Sequence, residues 1–149
     1  MKKAAKKKES PMTEKAFLKL IKEAFEHDDV LQLHRRNIVA GNARSGRYVR
    51  SGEPGMSDLF GTIKEWTCPC CKRERLGVSV EIEVKGIDKN GRRGKPTAAQ
   101  EKWLETVRRN NGVALLLHPA DDDWIPGRLR ARVWRLIERQ LCLDCFERR

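Results

Sequence analysis

Apolar residues recur along the 149-residue chain at two spacings. Phe17, Leu18, Ile21, Ala24 and Phe25 follow a helical period behind Thr13, a residue type that caps helices. Glu14 stands three and four residues before Phe17 and Leu18 and so shares their inward face. Val78, Val80, Ile82 and Val84 alternate with Ser79, Glu81, Glu83 and Lys85, which predicts a strand with one apolar and one charged face. Behind Pro96, Thr97 opens a second helix in which Gln100, Trp103, Leu104 and Val107 share a face and after which Gly112 stops the pattern. Val113–Leu117 reads as a buried strand, and Leu129, Val133, Leu136 and Ile137 mark a final arginine-rich helix. Residues 28–56 are rich in glycine and arginine and predict one short strand around Arg47–Arg50, then a turn over Ser51–Gly55. Asp58–Gly61 begins a further short strand. The order is helix, three strands, helix, strand, the signature of an α/β chain with a mixed sheet. It divides into a flexible basic tail (1–12), a core (13–119) and a C-terminal segment (120–149).

Charge adds a partner to this picture. The net charge is +11, with +4 in residues 1–10 and +4 in residues 126–149. Such concentration at two ends suits a polyanion, and nucleic acid above all. Arg35, Arg36 and Tyr48 are candidates to touch phosphates or a base, against the plainer reading of solvated surface. The absence of a long apolar run excludes a membrane span, and the lysine-rich start lacks the apolar stretch of a secretion signal.

Five cysteines fall in two clusters, CPCC at 68–71 and CLDC at 142–145. Cys68/Cys71 and Cys142/Cys145 are two C-x2-C pairs, the spacing of a four-thiolate structural zinc site. The spare Cys70 could replace a neighbour, and buried or reactive thiols are the rival reading. Zinc thiolates fit a reducing cytoplasm. The cysteine hairpin (66–77) would be clipped to the C-terminal helix.

Glu83 and Lys85 project from one face of the long strand, and Asp58 follows a glycine turn. A pair of carboxylates offers hard oxygen ligands for Mg²⁺ or Mn²⁺, and an adjacent lysine can act on water or on charge at phosphorus. Alone, a Glu-x-Lys on a strand is more often a solvated face. Gln100 completes a Thr97-x-x-Gln100 capping box, a full structural explanation of that residue. Glu81 shares the face of Glu83 and reads as solvated or supporting. His27, His34 and His118 follow no ligand spacing, and Trp66 and Trp124 read as packing residues.

Taken together, these pieces resemble a known family. Glu14, Arg36-Asn37, the run from Gly52 through Asp58 to Gly61, Ile82-Glu83-Val84-Lys85, Pro96 to Gln100, and Gly112 to Ala114 resemble a VRR-NUC domain, a branch of the PD-(D/E)xK nucleases. The resemblance spans about residues 13 to 117. It implies a restriction-endonuclease-like αβββαβ core. It also implies metal-dependent cleavage of DNA, with branched DNA such as Holliday junctions as substrate. Asp58, Glu83 and the backbone carbonyl of Val84 would hold the divalent ion, Lys85 would assist water, and Glu14 and Gln100 would complete the site. Stand-alone members of the family, many from phages, act as homodimers, which implies a homodimer here, in a bacterial or phage-infected cytoplasm. The cysteine hairpin and the C-terminal helix are additions to the family pattern. Two readings from other classes stand beside it: a zinc-ribbon DNA-binding or regulatory protein with an inactive nuclease-like core, and an assembly protein whose basic ends bind RNA.

Overall fold

The structure is a computed structural model, and it describes residues 11–36, 40–42, 48–50, 52–53 and 55–146. The elements in chain order are α1 (Glu14–Ala24), β1 (Leu31–Arg35), β2 (Ala40–Asn42), β3 (Tyr48–Arg50), β4 (Leu59–Thr67), β5 (Glu74–Val84), α2 (Ala98–Arg109), β6 (Val113–Leu117), α3 (Pro126–Leu141) and α4 (Leu143–Phe146). Four strands form one sheet in the order β1-β4-β5-β6, and β2 and β3 form a separate pair. The sheet is mixed because of its connections. A short turn joins β4 to β5 and makes them antiparallel, whereas the α2 crossover brings β6 in parallel to β5.

Each helix forms where its apolar period meets a start signal. The Thr13 hydroxyl accepts from the amide of Ala16, and α1 then buries Phe17, Leu18, Ile21 and Ala24. Thr97 and Gln100 close the expected capping box on α2. Pro126 opens α3, which buries Leu129, Val133, Ile137 and Leu141. The core joins these faces to Val78, Val80, Ile82 and Val84 of β5 and to Leu31, Leu59, Leu115 and Leu117. α1 and α3 pack on one another, and α2 lies against β5 and β6. Asp28 locks the α1–β1 turn: one carboxylate oxygen accepts from the amides of Val30 and Leu31, the other from the Trp134 indole at 2.7 Å.

Several expectations need correction. The strand expected around Arg47–Arg50 exists as β3 (Tyr48–Arg50), but it pairs with β2 and does not enter the main sheet. The sheet's remaining strand is β1, which the glycine- and arginine-rich composition concealed. β1 is an edge strand whose Leu31 is buried while Gln32, His34 and Arg35 stay exposed, so its apolar signal is two leucines long. The tail expected over 1–12 ends sooner, because Met12 exchanges backbone hydrogen bonds with Ile87 at 3.1 and 2.8 Å; residues 1–10 lie outside the described residues. In the cysteine-containing segment expected over 66–77, strand pairing runs out to Thr67 and Glu74 and leaves the cysteines in the turn between them. Trp66 packs against the core, but Trp124 is 66% exposed and is no packing residue. No helix among the described residues is long and apolar enough to cross a membrane.

Candidate metal centre and carboxylate–lysine site

The two C-x2-C pairs meet. Cys68 and Cys71 lie at the β4–β5 hairpin tip, Cys142 caps α3, and Cys145 lies in α4. The four sulfurs lie within 4.8 Å of one another, with Cys68 to Cys145 at 3.7 Å and Cys71 to Cys142 at 3.6 Å. A tetrahedron with Zn–S bonds of about 2.3 Å has edges of about 3.8 Å, so the sulfurs stand where four zinc ligands would. The turn is built for this. The backbone amides of Cys71 and Cys70 point at the Cys68 sulfur, and the amide of Cys71 is the main reason that its thiol is lowered to about 6. Lys72 adopts a positive φ of 61° that reverses the chain, and its amide returns to the Cys68 carbonyl at 3.0 Å. Cys70 is exposed and stands outside the group. The donor set fits a structural Zn²⁺. Among the described residues it is the one group of three or more metal-ligating side chains close enough to share an ion.

The second cluster lies at the far end of β5. Glu83 is completely buried, and Lys85 reaches back to its Oε1 at 2.6 Å. The Gln100 side chain donates to the same oxygen while its own carbonyl caps the amide of Thr97, so one side chain makes both contacts. Glu14 lies 3.8 Å from the Lys85 ammonium. Asp58 accepts the Val84 amide at 2.8 Å through Oδ2. Glu14, Asp58, Glu83, Lys85 and Gln100 therefore converge from α1, the start of β4, the end of β5 and α2. Two glycines permit the approach. A Cβ on Gly55 (φ +86°) would sit 2.3 Å from the Ala99 backbone, and one on Gly86 would sit 2.6 Å from the Glu14 amide.

Burial dominates the electrostatics here. It raises the Glu83 carboxyl to about 7, with the charges of Asp58 and Glu14 adding to the rise and Lys85 opposing it. Burial alone would depress the Lys85 ammonium, but its hydrogen bond to Glu83 and the surrounding carboxylates outweigh this and leave it above the usual lysine value. The second oxygen of Glu83, Oε2, is buried with no hydrogen-bond partner among the described residues. A buried carboxylate oxygen left so is costly unless a cation or another donor meets it.

The charge pattern leaves Glu81 as solvated or supporting. It is buried, not solvated, and the Arg36 guanidinium grips both its oxygens at 3.1 and 3.2 Å. Arg36 stacks on Phe60 at 4.5 Å and lies 5.9 Å from the Trp103 ring, and its amide donates to the Asp58 carbonyl at 2.8 Å. Arg36 is thus held inside the fold, bracing the backbone beside both Asp58 and Glu83. Arg35 is exposed at the sheet edge, and Tyr48 lies in β3 with its side chain outside the described residues.

The Arg36–Glu81 pair carries a stability prediction. Arg36→Ala strands a buried carboxylate and is expected to cost about 3–5 kcal/mol. The melting temperature should fall by roughly ten degrees for a chain of this size. The double variant Arg36→Met/Glu81→Met should recover most of the loss, because two apolar side chains replace two desolvated charges. A single variant that melts with the parent in a thermal scan would show that the pair is idle.

Comparison with known proteins identifies no family: no family model, no curated protein and no solved structure matches the chain. The protein is an α/β chain with a mixed four-strand sheet and a four-cysteine cluster.

Proposed function

We propose that the chain is a divalent-metal-dependent deoxyribonuclease that hydrolyses phosphodiester bonds in branched DNA such as Holliday junctions. The observation that carries this reading is the buried Glu83, joined by Lys85 and Gln100 on one oxygen and left without a partner on the other. An orphaned oxygen beside a second carboxylate fits a Mg²⁺ or Mn²⁺ ion. Such an ion commonly takes one or two carboxylates and completes its shell with water and substrate phosphate. Asp58, Glu83 and the Val84 carbonyl would hold it, and once bound it would acidify water and polarise the phosphate. Lys85 would orient the attacking water or neutralise charge on the phosphate. Glu14 would steer the lysine, and Gln100 would stop the Glu83 carboxylate from turning. The zinc would be structural, holding the hairpin to the C-terminal helices.

The test is cleavage of labelled four-way junction, flap, duplex and single-stranded DNA, with and without Mg²⁺ or Mn²⁺. Metal-dependent cutting that favours a branched substrate is the expected result, and no cutting of any substrate with either ion would defeat the reading. A paired cut across a two-fold junction needs two active sites, so the enzyme would act as a homodimer. Sedimentation that finds only monomer, with and without junction DNA, would shift the substrate toward flaps. A second reading, a zinc-containing DNA-binding protein with an inactive core, draws on a different observation. Among the described residues the four cysteines are the one group of three or more metal-ligating side chains placed to share an ion.

A further inference from the structure

We propose that the half of the sheet left uncovered by α2 is a stacking platform for unpaired DNA nucleotides; this rests on the nuclease reading and names the part of the substrate that lies next to the site. Helix α2 packs on β5 and β6. Over β1 and β4, on the same face, cross-strand rungs place His34 beside Phe60 and Gln32 beside Thr62. All four side chains are exposed, and Phe60 presents 36% of its surface. Phe60 lies on the face turned away from the core that α1 and α3 share with the sheet. Here it joins other planar groups. The His34 ring lies 5.5 Å from the Phe60 ring, centroid to centroid, and the Arg36 guanidinium lies over Phe60.

The surroundings suit a polyanion. Glu81, the rung neighbour of Phe60 on β5, is neutralised by both arms of Arg36. Lys64 continues the exposed side of β4, and Lys102 lies on α2 next to Trp103, the residue that flanks Arg36. A cleft of about 880 Å³ opens beside the platform between α1 and β1; Lys15, Lys19, Lys22 and Arg35 line it against Glu23 and Glu26. Unpaired nucleotides fit this surface better than duplex. In a duplex the base faces are covered by their neighbours, whereas a splayed base offers its whole face to a ring. Phe60 follows Asp58 by two residues, about 7 Å along a strand. A base stacked there would hand the adjoining phosphate toward Asp58 and Glu83. Junctions and flaps both contain such unpaired or readily unpaired nucleotides at the branch.

The test is fluorescence anisotropy of the full chain with labelled oligothymidine and with a blunt duplex, without added divalent metal. Phe60→Leu keeps an apolar side chain of similar bulk but has no aromatic face. It should weaken oligothymidine binding by about tenfold, the scale of one lost base stack, and leave duplex binding nearly unchanged. Phe60→Trp should restore or tighten binding, and His34→Ala should give a smaller loss. Circular dichroism checks that each variant is folded. Equal affinity of Phe60→Leu and parent for oligothymidine overturns the platform, as does an equal loss on single strand and duplex. Because binding is read without turnover, a parent protein that binds but never cuts would defeat the nuclease reading and leave the platform standing. A parent that cuts while Phe60→Leu binds normally would do the reverse.

Discussion

Lys85→Ala is expected to lower DNA cleavage by orders of magnitude while leaving DNA binding close to that of the parent. The lysine side chain is 12% exposed and lies between Glu83 and Glu14, so its ammonium is aimed into the carboxylate cluster. Its interaction with a reacting phosphate or water would strengthen in the transition state, and the loss should therefore appear in kcat more than in KM. Both carboxylates remain in the variant, which separates a chemical defect from a metal-binding one. Lys85→Arg keeps the charge but does not readily release a proton. If it retains much activity, the lysine acts by charge; if it is as inactive as Lys85→Ala, proton transfer is involved. Asp58→Asn makes a useful contrast. Its side-chain oxygen can still accept the Val84 amide, so the local fold is kept. The lost negative charge should weaken metal binding, and excess Mn²⁺ should recover part of the rate. Single-turnover assays on a labelled junction, over a metal titration, read all of these. Cleavage by Lys85→Ala at the parental rate would remove the basis for assigning a nuclease site here.

Loss of the cysteine-bound metal is expected to lower stability sharply. Cys68 and Cys145 are 77 residues apart, so a shared zinc closes a long loop between the β4–β5 hairpin and the C-terminal helices. A cross-link closing a loop of that length is worth about 4 kcal/mol in lost chain entropy. Cys142→Ser/Cys145→Ser, or prolonged chelation, should therefore lower the melting temperature by roughly 8–16 degrees. Hydrogen exchange should speed up in α3, whose last turn leads directly into Cys142. Elemental analysis of protein purified without added metal should find about one zinc per chain. A Cys70→Ser variant should change neither number, because Cys70 stands outside the sulfur cluster. Zinc-free protein that melts with the parent would show that the cluster is a set of neighbouring thiols and nothing more.

What could be read from the residues was what depends on near neighbours. The apolar faces of α1, α2 and α3, the Thr97–Gln100 box, the β5 alternation and the two C-x2-C pairs are all written within a few positions of chain. Backbone geometry at that range follows from spacing alone. The sheet edge was not legible, because two leucines in β1 give no more signal than the glycine- and arginine-rich stretch around them. Nor was the fate of Glu81. Its partner Arg36 lies 45 positions away, and only the β1–β4 pairing together with the hairpin register that puts Phe60 opposite Glu81 brings the two together. The same register places Asp58 at the Val84 amide and buries Glu83 beneath Gln100. A strand of alternating charges reads as a wet face until a helix is known to cover it. Long-range pairing decides that, since local spacing specifies which way a side chain points but not what it meets.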